Sequence, residues 1–342
     1  MKIKKTHTAI LQRMLCLALL PLLATSCLYE QPQLTGNGEL GVDPTGVNVN
    51  LNLALDLKID EAAATRTNTR ADEPTTVYRH RIIVDAYQNR QLAMRQVIYK
   101  DRSAGAEETS VNVNMKLHAR DYRLVVWADY VEAGSEADIY YNTTTLVPAI
   151  NTEPYTGNAE YKDVLYASRE LPLSRYRNEW DKQENIKIDL KRPVARYELI
   201  ADDVTKFLKK IAAGEVKGKK FTITVRYTSF FYTGFNALDE IAKNALQYIS
   251  YSRSIVTPEA ETKEVSIAFD HVFVPSDGTG IPIAVEVTDE SGTVVALTYL
   301  LLGCKADESC IIRSNFLTAD PSGGIGFDPD YDGSIKDEIE VE

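Results

Sequence analysis

The feature that most constrains the fold is a long run in which apolar residues alternate with mostly polar ones. The apolar members of this run, which covers thirteen positions, are Val47, Val49, Leu51, Leu53, Leu55, Leu57 and Ile59. Because side chains in a β-strand point alternately to opposite faces, this period of two predicts a strand with one buried face. Such a strand requires a sheet, and the sheet requires a second layer to cover its apolar face.

Shorter segments of the same character follow along the chain. They lie at residues 78–87, 91–99, 111–117, 122–131, 186–190, 192–200, 221–227, 265–269, 281–287 and 293–300. Helical spacing predicts only two helices, one at 204–211 capped by Asp202 or Asp203 and one at 237–248. Residues 132–163 are expected to be loop. Many short strands with turns between them predict an all-β chain of two tandem, immunoglobulin-like β-sandwiches, at 47–191 and 192–342.

The N-terminus has the features of a lipoprotein signal peptide. Basic residues precede an apolar run at 14–23, which is too short to span a bilayer, and Ala24, Thr25 and Ser26 lead to Cys27. This order predicts a signal peptide at 1–26, a thiol at Cys27 that becomes acylated, and a tether at 27–46. The alternative is an ordinary cleaved signal that happens to have a cysteine nearby.

The charge excludes some classes of partner. Removing residues 1–26 takes away four basic residues and no acid, so the formal net charge changes from −11 to −15. A body this acidic is a poor candidate for nucleic-acid binding, which needs clustered Lys and Arg. No later apolar run approaches membrane-spanning length, so an acyl chain would be the only membrane anchor.

Two cysteines remain in the mature body. Cys304 and Cys310 flank a short polar insert between two apolar runs. In an oxidising compartment they could form a disulfide that staples a hairpin, and the alternative is two thiols. A zinc site is not expected, since no second cysteine pair or histidine cluster accompanies them.

No specific catalytic motif occurs in the sequence, so the chain is not expected to be an enzyme or to need a cofactor. Asp328, Asp330 and Asp332, followed by a glycine, resemble the start of a calcium-binding EF-hand loop. The twelfth position of that loop should be a bidentate Glu, but it is Ile339 here. An acidic turn is the preferred interpretation, and a weak calcium site is the alternative.

The tyrosines concentrate in the loop region predicted before the second sandwich. They include Tyr140, Tyr141, Tyr155, Tyr161 and Tyr166. Tyrosine-rich loops can form a face that binds glycans or proteins, because tyrosine gives a large contact area at low entropy cost. Packing at the rim of an all-β domain is the other interpretation.

Five stretches together resemble the fimbrillin-type fimbrial subunit and anchor lipoproteins of Bacteroidetes. These are Cys27-Leu28-Tyr29-Glu30, Thr69-Arg70-Ala71, the segment YRLVVWADY at 122–130, RPVARYE at 192–198 and TGFNA at 233–237. The resemblance spans most of the mature chain, and its specificity comes from the order and spacing of the motifs.

The resemblance implies two transthyretin-like β-sandwiches and a role in surface fimbriae (pili) or adhesion. In polymerising members an arginine-specific protease cuts after the first strand, and a strand of a neighbouring subunit fills the groove, a form of β-strand addition. Residues 47–59 would be the removable strand here, with Arg70 as the cut and Arg66 as the second choice. Members that act as anchors keep their N-terminus.

The leading hypothesis is therefore a lipid-anchored outer-membrane protein at the cell surface, an anchor or accessory subunit of a fimbrium. Its expected partners are other fimbrial subunits, through strand exchange, and the outer-membrane lipid, through Cys27. A polymerising stalk subunit activated by cleavage at Arg70 and a surface glycan-binding lipoprotein are the alternatives.

Overall fold

The computed structural model describes residues 45–55, 77–101 and 110–321, and their secondary structure is almost entirely β. The signal peptide, Cys27, Arg66, Arg70 and the acidic turn at 328–332 lie outside these residues. Eighteen strands are described: β1 (Gly46–Ala54), β2 (Tyr78–Gln88), β3 (Gln91–Asp101), β4 (Ser110–His118), β5 (Asp121–Glu132), β6 (Tyr141–Asn142), β7 (Ala149–Asn151), β8 (Leu165–Pro172), β9 (Gln183–Asp189), β10 (Val194–Ala201), β11 (Lys220–Tyr227), β12 (Phe231–Asn236), β13 (Ile241–Leu246), β14 (Ser250–Val256), β15 (Val265–Phe273), β16 (Thr279–Thr288), β17 (Val294–Cys304) and β18 (Ser309–Ser314). The prediction of an all-β chain is confirmed.

The strands form two sandwich units, each with its own apolar core. In the first unit, sheet 1 has the strand order β4-β1-β9 and sheet 2 the order β3-β2-β5-β8. The alternating apolar side chains of β1 and β4 point into the core between these sheets, against Val84, Leu124 and Val126 of sheet 2. The strict alternation in the sequence thus produces one buried and one solvated face.

The second unit pairs a four-stranded sheet with a seven-stranded one. Sheet 3 has the order β14-β11-β16-β17. Sheet 4 has the order β18-β10-β15-β12-β7-β6, with β13 paired to β12. A second core lies between the two sheets, and α1 (Val204–Ala212) packs Val204 and Phe207 against it. The chain changes from the first unit to the second between β9 and β10.

The prediction of a helix at 237–248 is wrong. Residues 237–240 form a turn, and β13 returns antiparallel to β12. The Oδ1 atom of Asn236 accepts hydrogen bonds from the backbone N–H groups of Leu238 and Asp239, at 3.1 and 3.0 Å. A side chain that satisfies the backbone in this way favours a turn over a helix.

The other predicted helix is present as α1, but Asp203 does not cap it through its side chain. Its carboxylate instead accepts hydrogen bonds from the backbone N–H of Leu317 and the hydroxyl of Thr318, at 3.1 and 2.6 Å. Asp203 therefore fastens the segment that follows β18 to the start of the helix.

Residues 133–164, which we call the clasp, connect β5 to β8 and contact both units. The sequence predicts a loop at 132–163, but this segment contains β6 and β7, and β7 pairs with β12 of sheet 4. A third apolar cluster lies at this junction, where Trp127 of sheet 2 packs near Phe273 of sheet 4 and Tyr141 of the clasp. The clasp is therefore linked to the second unit by strand pairing with sheet 4, and to the first unit by the packing of its side chains on sheet 2.

Ion pairs hold each end of the clasp, and the pair at the second end is buried. At one end Arg81 of β2 bonds Asp138, at 2.6 Å. At the other end the Lys162 ammonium lies 2.7 Å from Oδ1 of Asp270 on β15, and both side chains are almost fully excluded from water. The hydroxyls of Tyr155 and Tyr227 each donate to the second oxygen of Asp270, at 2.7 Å. Burial lowers the pKa of Lys162, although the carboxylate of Asp270 favours its charged form.

Asp163, the next residue, is paired with Arg192 at the start of the second unit, at 3.1 Å. Burial raises the pKa of Asp163 to about 6, because the loss of hydration outweighs the attraction of Arg192. The clasp thus carries a carboxyl group that titrates near neutral pH.

We predict that Lys162→Met will reduce the free energy of unfolding by about 3–5 kcal/mol, because it leaves the buried Asp270 carboxylate without its counter-ion. Urea unfolding measures the change. The matched control is Lys182→Met, which breaks an exposed pair with Glu179 and should leave the midpoint unchanged. The double variant Lys162→Met/Asp270→Asn should recover part of the loss, because it removes the buried charge and keeps an oxygen that accepts from the Tyr155 and Tyr227 hydroxyls. Equal midpoints for Lys162→Met and Lys182→Met would contradict the role of the clasp.

Asp163 should make the stability depend on pH. Its folded pKa of about 6 lies above the unfolded value of about 3.9. Its contribution is therefore fully present below pH 4 and is lost as the pH rises through 6. Relative to Asp163→Asn, the wild type should gain about 2 kcal/mol between pH 7 and pH 4. The measurement is urea unfolding at several pH values.

Asp239→Asn is the control for this pH dependence. The hydrogen bond from Arg90 lowers the pKa of Asp239, so the wild type should lose stability relative to that variant as the pH falls. The same sign for both variants would refute the assignment to Asp163.

Candidate functional site

The candidate site is β1 together with the two strands on either side of it. β1 runs antiparallel to β4, in a register that pairs Gly46 with His118 and Ala54 with Ser110. On its other edge it runs parallel to β9, from the pair Asn48 and Gln183 to the pair Ala54 and Asp189. Within the described residues β4 and β9 are joined only through β1. Sheet 1 therefore depends on β1 for its continuity.

The inward side chains of β1 are fully buried. Val47, Val49, Leu51 and Leu53, together with Leu55 directly after the strand, are each no more than 3% exposed. At about 1.5–3 kcal/mol for each buried aliphatic side chain, they contribute about 7–15 kcal/mol of hydrophobic stabilisation before the entropy of ordering the strand is counted. A groove without β1 would leave the apolar side chains of β4 and β9 in water.

The outward side chains of β1 are asparagines that bond across the sheet. The Nδ2 atom of Asn50 donates to Oδ1 of Asn185 on β9, and that of Asn52 donates to Oδ1 of Asn112 on β4, each at 2.8 Å. These cross-strand amide bonds add to the backbone ladder and depend on register. A strand that occupies this position therefore needs apolar residues at alternate positions and is favoured by small amides between them.

The loop before β9 closes the end of the groove where β1 begins. The carboxylate of Glu184 accepts hydrogen bonds from the Tyr176 hydroxyl and the Arg175 guanidinium, both at 2.6 Å. The Tyr176 hydroxyl and then the guanidinium lower the pKa of Glu184. The backbone N–H of Asn178 donates to the Thr45 hydroxyl at 3.1 Å. The start of β1 is thus fixed to the loop by side chains as well as by backbone.

The sequence predicted β1 but not its neighbours. The parallel pairing with β9 joins segments about 135 residues apart, and alternation within either strand carries no information about that contact. The predicted strand extends to Ile59, whereas β1 ends at Ala54 and residues 56–59 lie outside the described range.

The two cysteines do not flank a hairpin, so that prediction is wrong. Cys304 ends β17 of sheet 3 and Cys310 lies in β18 of sheet 4, so the intervening turn connects the two sheets of the second unit. Burial and the nearby Cys310 thiol raise the pKa of Cys304 to about 12. The structure does not join the two sulfur atoms, and the disulfide stays a prediction.

The five tyrosines of the loop region are buried or half-buried rather than exposed. Tyr141 and Tyr166 are buried, and Tyr140, Tyr155 and Tyr161 are half-buried. Tyr141 and Tyr166 belong to the junction cluster, where the ring of Tyr166 meets Phe235 edge-on. They therefore do not form the exposed aromatic face on which a glycan-binding interpretation depends.

The described residues contain no helix long and apolar enough to cross a membrane. Nor do they contain a group of three or more histidine, cysteine or acidic residues placed to hold a metal ion. Cys27, Arg66, Arg70, Asp328, Asp330 and Asp332 stay predictions, since they lie outside the described residues.

Comparison with solved structures gives remote likenesses. A candidate cell adhesion protein of Bacteroides eggerthii is 10% identical, with a TM-score of 0.39, and the match covers 83% of this chain and 93% of that one. A candidate adhesin of Bacteroides ovatus is 10% identical, with a TM-score of 0.39, and the match covers 82% of this chain and 94% of that one. Candidate polysaccharide-binding proteins of Bacteroides thetaiotaomicron are 10% identical, with a TM-score of 0.35, and the match covers 74% of this chain and 79% of that one. Likenesses this remote establish neither a shared activity nor a shared partner.

Comparison with family models gives a match over most of the chain. No curated protein matches the sequence. One family model, described as a family of unknown function, matches residues 43–342, which include β1 and both sandwich units. The chain therefore belongs to the family of unknown function DUF6562.

Proposed function

We propose that the protein is a lipid-anchored cell-surface adhesion protein, an anchor or accessory subunit of a fimbrium assembled by β-strand addition. The observation that carries the proposal is the place of β1, the central strand of sheet 1 and the sole link between β4 and β9 among the described residues. The loss of a strand from that place breaks both ladders, and a strand with the same alternation, direction and register can replace it.

The order of features along the chain supports this proposal. Cys27, the proposed acylation site, precedes β1, and Arg66 and Arg70 follow it before β2 begins at Tyr78. A cut at either arginine would separate β1 and the acyl group from the rest of the chain. Backbone hydrogen bonds and buried side chains alone would then hold β1 in place. The uncut chain is the anchor form, and the cut chain is open to exchange.

The polymerising stalk subunit is the alternative within the same class of function. It differs from the anchor in its processing, since the anchor keeps its N-terminus, whereas the stalk subunit must be cleaved at Arg70 before it assembles. The solved structures named above include candidate adhesins, and their described roles are consistent with either version. The glycan-binding alternative loses its support, because the five tyrosines on which it depended are buried or half-buried rather than exposed.

We expect exchange of β1 only after cleavage. The test treats the mature protein with an arginine-specific protease and then adds a fluorescent peptide with the sequence of residues 46–55. The nicked protein should take up the peptide and release its own β1, because both strands make the same contacts. Peptide uptake is measured by size-exclusion chromatography, and the cleavage position by N-terminal sequencing.

Two controls make the test specific. A chain with Arg66→Gln and Arg70→Gln should resist the cut and take up no peptide. A peptide that carries Leu51→Asp should fail on nicked protein, since it would bury a carboxylate in the apolar core. Oligomers in the nicked sample would favour the stalk version, and a monomer that takes up peptide would favour the anchor. Equal uptake by nicked and intact protein would refute strand exchange at this site.

A further inference from the structure

The most exposed large aromatic side chain of the first unit belongs to Trp180, in the loop that precedes β9. Its side chain is 60% exposed, whereas Trp127, the other tryptophan of the sequence, is completely buried at the junction. Burial of an exposed indole ring removes a large apolar area from water, so a protruding tryptophan is a candidate contact residue.

The loop holds Trp180 in a defined position. Asn178 and Asp181, on either side of it, have φ angles of +63° and +61°, which turn the chain sharply at both points. The backbone N–H of Asn178 donates to the Thr45 hydroxyl, and the backbone N–H of Asn48 donates to the carbonyl oxygen of Lys182, at 3.1 and 3.0 Å. The loop is therefore fastened to the first residues of β1.

This position is where the proposed tether joins the body. Residues 27–44 lie between the acylated cysteine and Thr45. Fully extended, they reach at most about 65 Å. The tether attaches to the body beside Trp180, so this end of the first unit can approach the bilayer without the tether being extended. The C-terminal unit packs on the far side of sheet 2, through the junction cluster.

The charges around Trp180 balance. Residues 174–184 contain three basic and three acidic side chains: Arg175, Arg177, Lys182, Glu179, Asp181 and Glu184. Arg175 is paired with Glu184, and Lys182 with Glu179, at 2.6 and 2.9 Å. A surface that is neutral in sum, with one protruding indole, fits the interface of a zwitterionic bilayer, where tryptophan is enriched, better than an anionic one.

We infer that Trp180 is a membrane-contact residue that inserts its indole ring at the headgroup level of the bilayer and seats the first unit against it. The inference rests on the proposed lipid anchor at Cys27. The acyl chains supply attachment, and Trp180 supplies orientation, since one point of attachment leaves the body free to rotate and two fix which face meets the membrane.

The presence of only two tryptophans permits a direct test. The acylated protein is reconstituted at low density in phosphatidylcholine vesicles, with and without brominated acyl chains, and flotation confirms attachment. Brominated lipid should quench the emission of Trp180, and the vesicles should protect Trp180 from aqueous iodide. Trp127 should respond to neither, because it is buried at the junction.

Trp180→Ala should abolish both effects while the protein still floats. Phe230→Ala is the matched control, since it removes an equally exposed aromatic side chain from the second unit and should leave both effects intact. Replacing half of the lipid by an anionic one, or raising the salt, should change neither.

Three outcomes would overturn the inference. Flotation without quenching leaves the lipid anchor standing and removes the membrane contact of Trp180. Protection from iodide that increases with protein density, without quenching by brominated lipid, assigns Trp180 to a contact between subunits. Failure to float rejects the anchor and the contact together.

Discussion

The central position of β1 is the constraint on which the rest of the first unit depends. Its four inward side chains lie in the core between sheets 1 and 2, and its two backbone edges hold β4 and β9 in one sheet. An edge strand could be removed at the cost of one ladder, but the removal of β1 breaks two ladders and opens the core. The free energy of unfolding of the first unit therefore depends on whether a strand occupies the position of β1, whichever chain supplies that strand.

The second unit and the clasp explain why such a loss need not unfold the whole protein. The junction cluster uses the outer face of sheet 2, whereas β1 packs against the inner face through sheet 1. The ion pairs of Lys162 and Asp163 lie on the far side of sheet 2 from β1 and involve Asp270 of β15 and Arg192, which precedes β10. The contacts that position the two units are thus separate from the contacts that an exchanging strand would replace.

Local pattern was enough to predict the class of fold and most strands, because alternation and turn residues act over a few positions. It failed where a distant or competing contact decided the outcome. Residues 237–248 have helical spacing, but the side chain of Asn236 satisfies the backbone as a turn and β12 offers a partner. The cysteine pair resembles a hairpin because the pattern does not show that β17 and β18 join different sheets.

The site was predictable to the same extent. The strand itself and its apolar face follow from the residues, whereas its role follows from two partners that no local pattern identifies. In the sequence, Asn185 and Asn112 are ordinary polar residues. Only the structure shows that they accept hydrogen bonds from Asn50 and Asn52. Trp180 gave no signal in the sequence either, because only the hydrogen bonds of its loop to Thr45 and Asn48 place it beside the tether.

The two pairings of β1 also fix the direction of any strand that replaces it. A replacement must run antiparallel to β4 and parallel to β9, and the inverse orientation would exchange the two hydrogen-bonding patterns along both edges. It must also place its apolar side chains inward, since a slip of one residue would bring the asparagine positions into the core. If strands are exchanged at this site, each joint between subunits therefore has one direction and one register, and an assembly built from such joints is polar along its length.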